Sequence, residues 1–193
     1  MKVAVVQTRP RLHRVEENLA AMDALLQEVD AELIILPELF ASGYWFLDRE
    51  ETAGVAEPLG AGPVQDALER WAKSHDAAVC GGLAESEGDR VFNSAVIQGP
   101  RGRLAHYRKL HLFDGEKLCF DPGDLAPPVV PWRDAVLGLM ICFDWRFCEV
   151  ARGLTLRGCE ILCHPSNLVM EICPAAMVTR ALENGIHCCT ADR

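Results

Sequence analysis

A cysteine, a glutamate and a lysine each stand at the end of a strand-like run. Leu139-Met140-Ile141 leads into Cys142, Leu33-Ile34-Ile35-Leu36-Pro37 into Glu38, and Tyr107-Arg108 into Lys109. In open α/β sheets, ligands bind beyond the carboxyl ends of the strands. A thiol, a base and a fixed cation are the components of nucleophilic acyl chemistry. A free thiol has a pKa of ~8.5 and is mostly protonated at neutral pH, so Cys142 needs help before it can attack a carbonyl. Glu38 can accept its proton and later pass it to a leaving ammonia or amine. Lys109 can hold the thiolate and then the oxyanion, helped by the backbone N–H after the nucleophile, that of Phe143. Each residue alone has a plainer reading: a core cysteine, a solvated acid after a strand, an edge-strand lysine that deters aggregation. Taken singly, each plainer reading is the favoured one.

The elements that must position these groups alternate along the chain. Strands are expected over 2–7, 32–36, 77–84, 91–98, 103–108, 135–141, 160–164 and 186–191. Helices are expected over 15–29, where Val15, Leu19, Met22, Leu25, Leu26 and Val29 recur at helical spacing, and over 63–75, 147–157 and 175–184. Pro63 suits a first helical turn, and Gly185 suits a C-cap. Turn signals at Gly88-Asp89 and Gly99-Pro100-Arg101-Gly102 predict an antiparallel meander of the middle strands. The stretches 43–62 and 121–131 read as loops. There is no repeat or linker, so one α/β domain over residues 1–193 is expected.

Composition narrows the function. Of the 193 residues, 50% are apolar, and 28 acids outnumber 19 Lys and Arg for a net charge of −9. That argues against nucleic acid as a partner, which needs clustered cations. No apolar run approaches the ~20 residues that span a bilayer. The first residues lack a signal-peptide core and read as a buried strand, so a cytoplasmic location is expected. The nine cysteines are odd in number and irregular in spacing, which predicts free thiols. Cys159, Cys163, His164 and His187 match no standard zinc spacing, so neither a metal nor a cofactor is expected.

Four stretches together resemble the nitrilase, or carbon–nitrogen hydrolase, superfamily: 36–40 around Glu38, 107–113 with Glu116, 138–147 around Cys142, and His164-Pro165-Ser166-Asn167. Arg180-Ala181-Leu182-Glu183-Asn184 and Phe92-Asn93-Ser94-Ala95 add to the likeness. It covers the whole chain in the family's order and is closest to the amidase-like branch. The resemblance implies a nitrilase-like α-β-β-α sandwich, usually dimerised or further oligomerised. It also implies a Glu38–Lys109–Cys142 triad, with Glu116 as a second acid that orients Lys109 or the water. Cys148 stands where the family usually has proline. Family members continue for several tens of residues past Arg193, so the sandwich is expected to be incomplete at its C-terminus.

The reaction so implied is hydrolysis of a small linear amide or carbamoyl compound through a cysteine thioester. Two other readings stay open. One is a truncated, inactive fragment that acts at most as a binding partner. The other is nitrile hydrolysis or acyl transfer by the same triad. Substrate contacts are expected from Phe143, Asn167 and Trp145, although Asn167 also reads as a turn residue and Trp145 as core. His111 and His164 read as structural, because the lysine and the glutamate cover the roles a histidine would fill.

Overall fold

The computed structural model describes all 193 residues. Its first half builds one sheet. β1 (Val3–Val5) and β2 (Leu33–Ile35) pair in parallel across helix α1 (Val15–Leu26). The stretch 43–62, expected to be loop, contains a short helix α2 (Arg49–Ala53), capped by the Asp48 side chain, and a two-residue strand β3 (Glu57–Pro58). Helix α3 (Pro63–His75) has the expected bounds and ends on Asp76 in the left-handed region. β4 (Ala78–Glu87), β5 (Arg90–Gly99) and β6 (Gly102–Arg108) form the expected antiparallel meander, and β4 also pairs in parallel with β2. The sheet order is β1-β2-β4-β5-β6, with β3 beside β4.

The second half builds another sheet. After helix α4 (Glu116–Cys119) come β7 (Val129–Trp132), β8 (Ala135–Leu139), a 3-10 turn over Cys142–Arg146, and α5 (Cys148–Leu156). β9 (Ile161–Pro165), α6 (Cys173–Asn184) and β10 (His187–Ala191) follow, in the order β10-β9-β8-β7. β7 overlaps the Pro-rich stretch expected to be loop. Its Pro131 is tolerated because β7 is an edge strand, where a missing N–H can face outward. Gly185 adopts the left-handed C-cap.

Strand alternation sorts side chains into layers. Ile34 and Val79 face α1 and α3, packing with Met22, Leu26 and Trp71. Leu33, Ile35 and Cys80 face the other way, onto Leu137, Leu139 and Cys163 of the second sheet. On the far side of that sheet, Leu162 packs with Leu154 of α5 and Met177 of α6. The result is the four-layer α-β-β-α sandwich. Each large aliphatic buried between the sheets contributes roughly 1.5–3 kcal/mol. No helix is long and apolar enough to cross a membrane.

Candidate active site

β2 leads directly into Glu38. The Gly82 amide donates to the Pro37 carbonyl (3.2 Å), and the Glu38 amide donates to the Ser166 carbonyl (3.4 Å). β4 lies so close that a Cβ on Gly82 would stand 2.7 Å from the Glu38 Cα. Only glycine therefore fits at position 82 without moving the acid. Lys109 extends β6 by one residue, its amide donating to the Asn93 carbonyl (2.8 Å). Cys142 follows β8 and opens the 3-10 turn with φ +36°, in the left-handed region that L-residues rarely adopt.

These three strand ends converge. Lys109 Nζ donates to Glu38 Oε1 at 2.6 Å and to Glu116 Oε1 at 2.7 Å. The Asn93 side-chain amide donates to the same two oxygens, at 2.8 and 3.2 Å. Glu116 Oε2 accepts from the Phe113 amide at 2.7 Å, so both of its oxygens are occupied. The other oxygen of Glu38 is buried and has no partner. The Cys142 thiol donates to the Asn167 carbonyl at 3.5 Å. Glu38 and Lys109 are each 1% exposed and Cys142 5%, which excludes a solvated acid and a solvent-facing edge lysine.

Burial sets the protonation states. It pushes the Glu38 carboxyl up to about 7; the Lys109 ammonium pulls against that, and Glu116 adds to it. Burial and the neighbouring Glu38 lift the Cys142 thiol well above the usual cysteine range, although Lys109 opposes them. For Lys109, burial favours the neutral amine, but Glu38, Cys142 and Glu116 together outweigh it and keep the ammonium charged. The group thus holds a fixed cation, a protonated thiol and a carboxyl poised near neutrality, the arrangement a base-assisted thiol nucleophile needs.

The sequence profile of the carbon–nitrogen hydrolase family matches residues 2–193. The chain belongs to the carbon–nitrogen hydrolases. Relatives of this hydrolase include a nitrilase from Pyrococcus abyssi, 43% identical over 196 residues, covering 100% of this chain and 75% of the relative. An (R)-stereoselective amidase from a Pseudomonas species is 33% identical over 198 residues, covering 100% of this chain and 71% of that one. In three dimensions an amidase from Nesterenkonia sp. matches the whole chain and 75% of its own, with TM-score 0.84 at 27% identity. The chain therefore spans about three quarters of the length of these relatives. Likeness to amidases in both sequence and fold places it on the amidase-like branch, among the amidase-type hydrolases.

Around its strand ends the carbon–nitrogen hydrolase carries supporting groups: Asp144, which the sequence did not mark, and His111 and His164, which read there as structural. Asp144 is fully buried. It accepts from the Ile141 amide (3.0 Å), the Tyr107 hydroxyl (2.9 Å) and the His111 amide (3.3 Å), and His111 Nδ1 lies 2.7 Å away. It thereby ties the nucleophile turn to the lysine segment. The His111 ring stacks on Phe147 with centroids 3.7 Å apart. His164 lies beneath Cys142, with Nε2 donating to the Cys142 carbonyl at 2.9 Å and Nδ1 2.9 Å from the Thr190 hydroxyl. Both ring nitrogens are thus engaged within the protein. No group of three or more His, Cys, Asp and Glu side chains is disposed to hold a metal ion. Asn93 stood in the sequence only as part of the Phe92-Asn93-Ser94-Ala95 stretch, with no mark of its contact with Glu38.

Of the expected substrate contacts in the hydrolase, Phe143 and Trp145 line a small cavity with Cys142. Trp145 also packs in the core under α5 and α6, so it serves both places. Asn167 lies outside that lining. It is fully buried, and neither side-chain polar atom has a partner. A second cavity of about 70 Å³ lies against Glu116, among Tyr44, Trp45, Phe46, Phe113 and Phe120. A larger groove of about 440 Å³, between the start of α1 and residues 54–57, is lined by none of Glu38, Lys109 and Cys142.

Proposed function

We propose that the chain hydrolyses a non-peptide C–N bond in a small linear amide or carbamoyl compound, by way of a thioester on Cys142. The observation that carries this reading is the unpartnered, buried oxygen of Glu38, beside one that Lys109 holds. That free oxygen takes the thiol proton as sulfur attacks the carbonyl carbon. Lys109 and the Phe143 N–H stabilise the tetrahedral oxyanion. The intermediate collapses, the C–N bond breaks, and Glu38 returns its proton to the departing ammonia or amine. Water then gives a proton to Glu38 and attacks the thioester; breakdown releases the acid and restores the thiol. Glu116 holds Lys109 in place. The orphaned amide of Asn167 and the rings of Phe143 and Trp145 are assigned to substrate contact. No step calls for a cofactor.

A solved variant of the amidase from Nesterenkonia sp. AN1, 26% identical, carries the product of acrylamide addition at its active-site cysteine. That supports the same role for Cys142. The nitrilase from Pyrococcus abyssi favours a second reading, in which the same thioester arises from a nitrile. The test is turnover of paired amides and nitriles by the wild type and Cys142→Ala, with ammonia and acid quantified. Amide hydrolysis that vanishes in Cys142→Ala supports the proposal. Hydrolysis confined to nitriles selects the second reading, and full amide turnover by Cys142→Ala overturns the triad.

We also assign the chain to a reducing, cytoplasmic compartment, supported by its nine free thiols. Association with a second copy is supported by Leu156, Val178 and Leu182, which stand exposed on α5 and α6. Sedimentation of the purified chain tests it, and a strictly monomeric species counts against it.

A further inference from the structure

We propose, resting on the amide hydrolysis above, that the site selects substrates whose acyl chain is short, apolar and uncharged, through a pocket formed by Phe113, Trp145 and the segment Leu168–Met170. Three stretches of chain meet beside the Cys142 sulfur. Phe113 follows the lysine strand, Phe143 and Trp145 belong to the nucleophile turn, and Leu168, Val169 and Met170 follow β9. Every side chain lining the cavity between them is apolar, and its free volume is about 10 Å³. That is room for about one water- or methyl-sized group.

Two walls are fixed by ring contacts. Phe113 and Phe143 meet edge-on with centroids 4.9 Å apart, and Phe143 and Trp145 at 6.3 Å. The third wall is looser: Val169 is 43% and Met170 37% exposed, so that side opens toward solvent. The cavity therefore admits a small chain at once and a longer one along Val169 and Met170.

The reaction decides which part of the substrate meets this pocket. A carbonyl carbon attacked by sulfur carries an oxygen, a nitrogen and an acyl chain. The oxygen must face Lys109 and the Phe143 N–H, and the nitrogen must face Glu38, which protonates it. The acyl chain is left to the apolar side. An ion there would shed its hydration with nothing to replace it. Two of the three Lys109 N–H donors go to Glu38 and Glu116, at 2.6 and 2.7 Å, and the third faces the reacting oxygen, so none is left for a carboxylate on the acyl chain. Arg180 approaches the same turn, but it donates to the Trp145 carbonyl (3.3 Å) and pairs with Glu183 (3.0 Å). No acid lines the cavity to receive an ammonium.

The test compares shape-matched pairs on the full chain: 3-methylbutanamide against malonamate, and butanamide against β-alaninamide. We expect kcat/KM to favour the neutral member of each pair by roughly a hundredfold or more. Val169→Arg should shift the malonamate to 3-methylbutanamide ratio at least roughly tenfold toward malonamate. Equal turnover of the neutral and charged members overturns the pocket while leaving amide hydrolysis standing. If no amide is turned over, the proposed reaction fails, and protection of Cys142 from iodoacetamide still tests the pocket. Protection by the neutral members alone supports it; equal protection by all four, or by none, overturns it.

Discussion

The ring of His164 lies against the backbone of Cys142, Nε2 2.9 Å from its carbonyl oxygen and 3.0 Å from the Ser166 hydroxyl. Burial drives its pKa down to about 4, so the ring is neutral in the folded chain. The unfolded chain binds that proton near pH 6.5. Between those values the unfolded state holds more protons, so this contribution to stability is complete above pH 6.5 and is lost as pH falls toward 4, by up to about 3 kcal/mol.

Glu38 works in the opposite sense. With a folded pKa pushed up to about 7, it binds its proton more tightly in the native state and favours folding as pH falls. The wild-type stability curve is therefore flattened, and the informative quantity is the difference between wild type and His164→Asn in urea unfolding. That difference should shrink by up to about 3 kcal/mol from pH 7 to pH 4.5. A difference independent of pH would show that His164 is not held neutral.

In the proposed reaction Glu38 also sets the pH–rate profile. As the base it must be ionised, so kcat/KM should fall by about tenfold per pH unit below about 7 and level off above it. Glu38→Gln should remove turnover at every pH while Cys142 stays available to alkylation. An acid limb left in place in a still-active Glu38→Gln variant would assign the titration to another group.

Lys109→Met should be costly twice over. It leaves Glu38 and Glu116 buried together without their shared cation, a loss of about 3–5 kcal/mol in urea unfolding. It should also slow alkylation of Cys142 at neutral pH, because nothing then favours the thiolate. Unchanged stability would mean that the carboxyls accommodate the loss by protonation alone.

Asp144→Asn exchanges an acceptor for a donor against the Ile141 amide, the His111 amide or the Tyr107 hydroxyl. We expect a loss of about 3 kcal/mol and a fall in kcat of at least roughly tenfold as the Cys142 turn loosens. Tyr107→Phe removes one of these contacts and should cost about 1 kcal/mol. Calorimetry and steady-state kinetics on both variants check the ranking.

Gly82→Ala places a methyl 2.7 Å from the Glu38 Cα and 2.8 Å from the Leu39 amide. The backbone must shift, at about 1–3 kcal/mol, and displacement of the base should lower kcat by roughly tenfold to a hundredfold. Gly153 in α5 has open space around it, so Gly153→Ala should stabilise the chain by roughly 0.5–1 kcal/mol. Equal behaviour of the two variants would refute the close approach at Gly82.

Glu38, Lys109 and Cys142 could be picked out as candidates because they stand where apolar runs stop, and a run that stops on a reactive group is visible without knowing its neighbours. The same holds for α3, whose Pro63 marks a first turn and whose bounds match. Asn93 and Asp144 were not legible as parts of the site. Their value lies in partners distant in sequence, Glu38 for Asn93 and Tyr107 for Asp144, and only the packed sheets bring those together. β7 was hidden for a related reason: Pro131 reads as a breaker unless one knows that the strand lies at an edge.

Glu38 and Lys109 follow strands of one sheet and Cys142 follows a strand of the other. Neither sheet alone assembles the constellation, however well its own ladder has formed. In refolding, then, activity should return only with the slowest step, the docking of the two sheets, after helical signal and hairpin pairing have recovered. Turnover is thus a more stringent reporter of the native state than circular dichroism, and mild denaturant should silence the enzyme before its secondary structure changes.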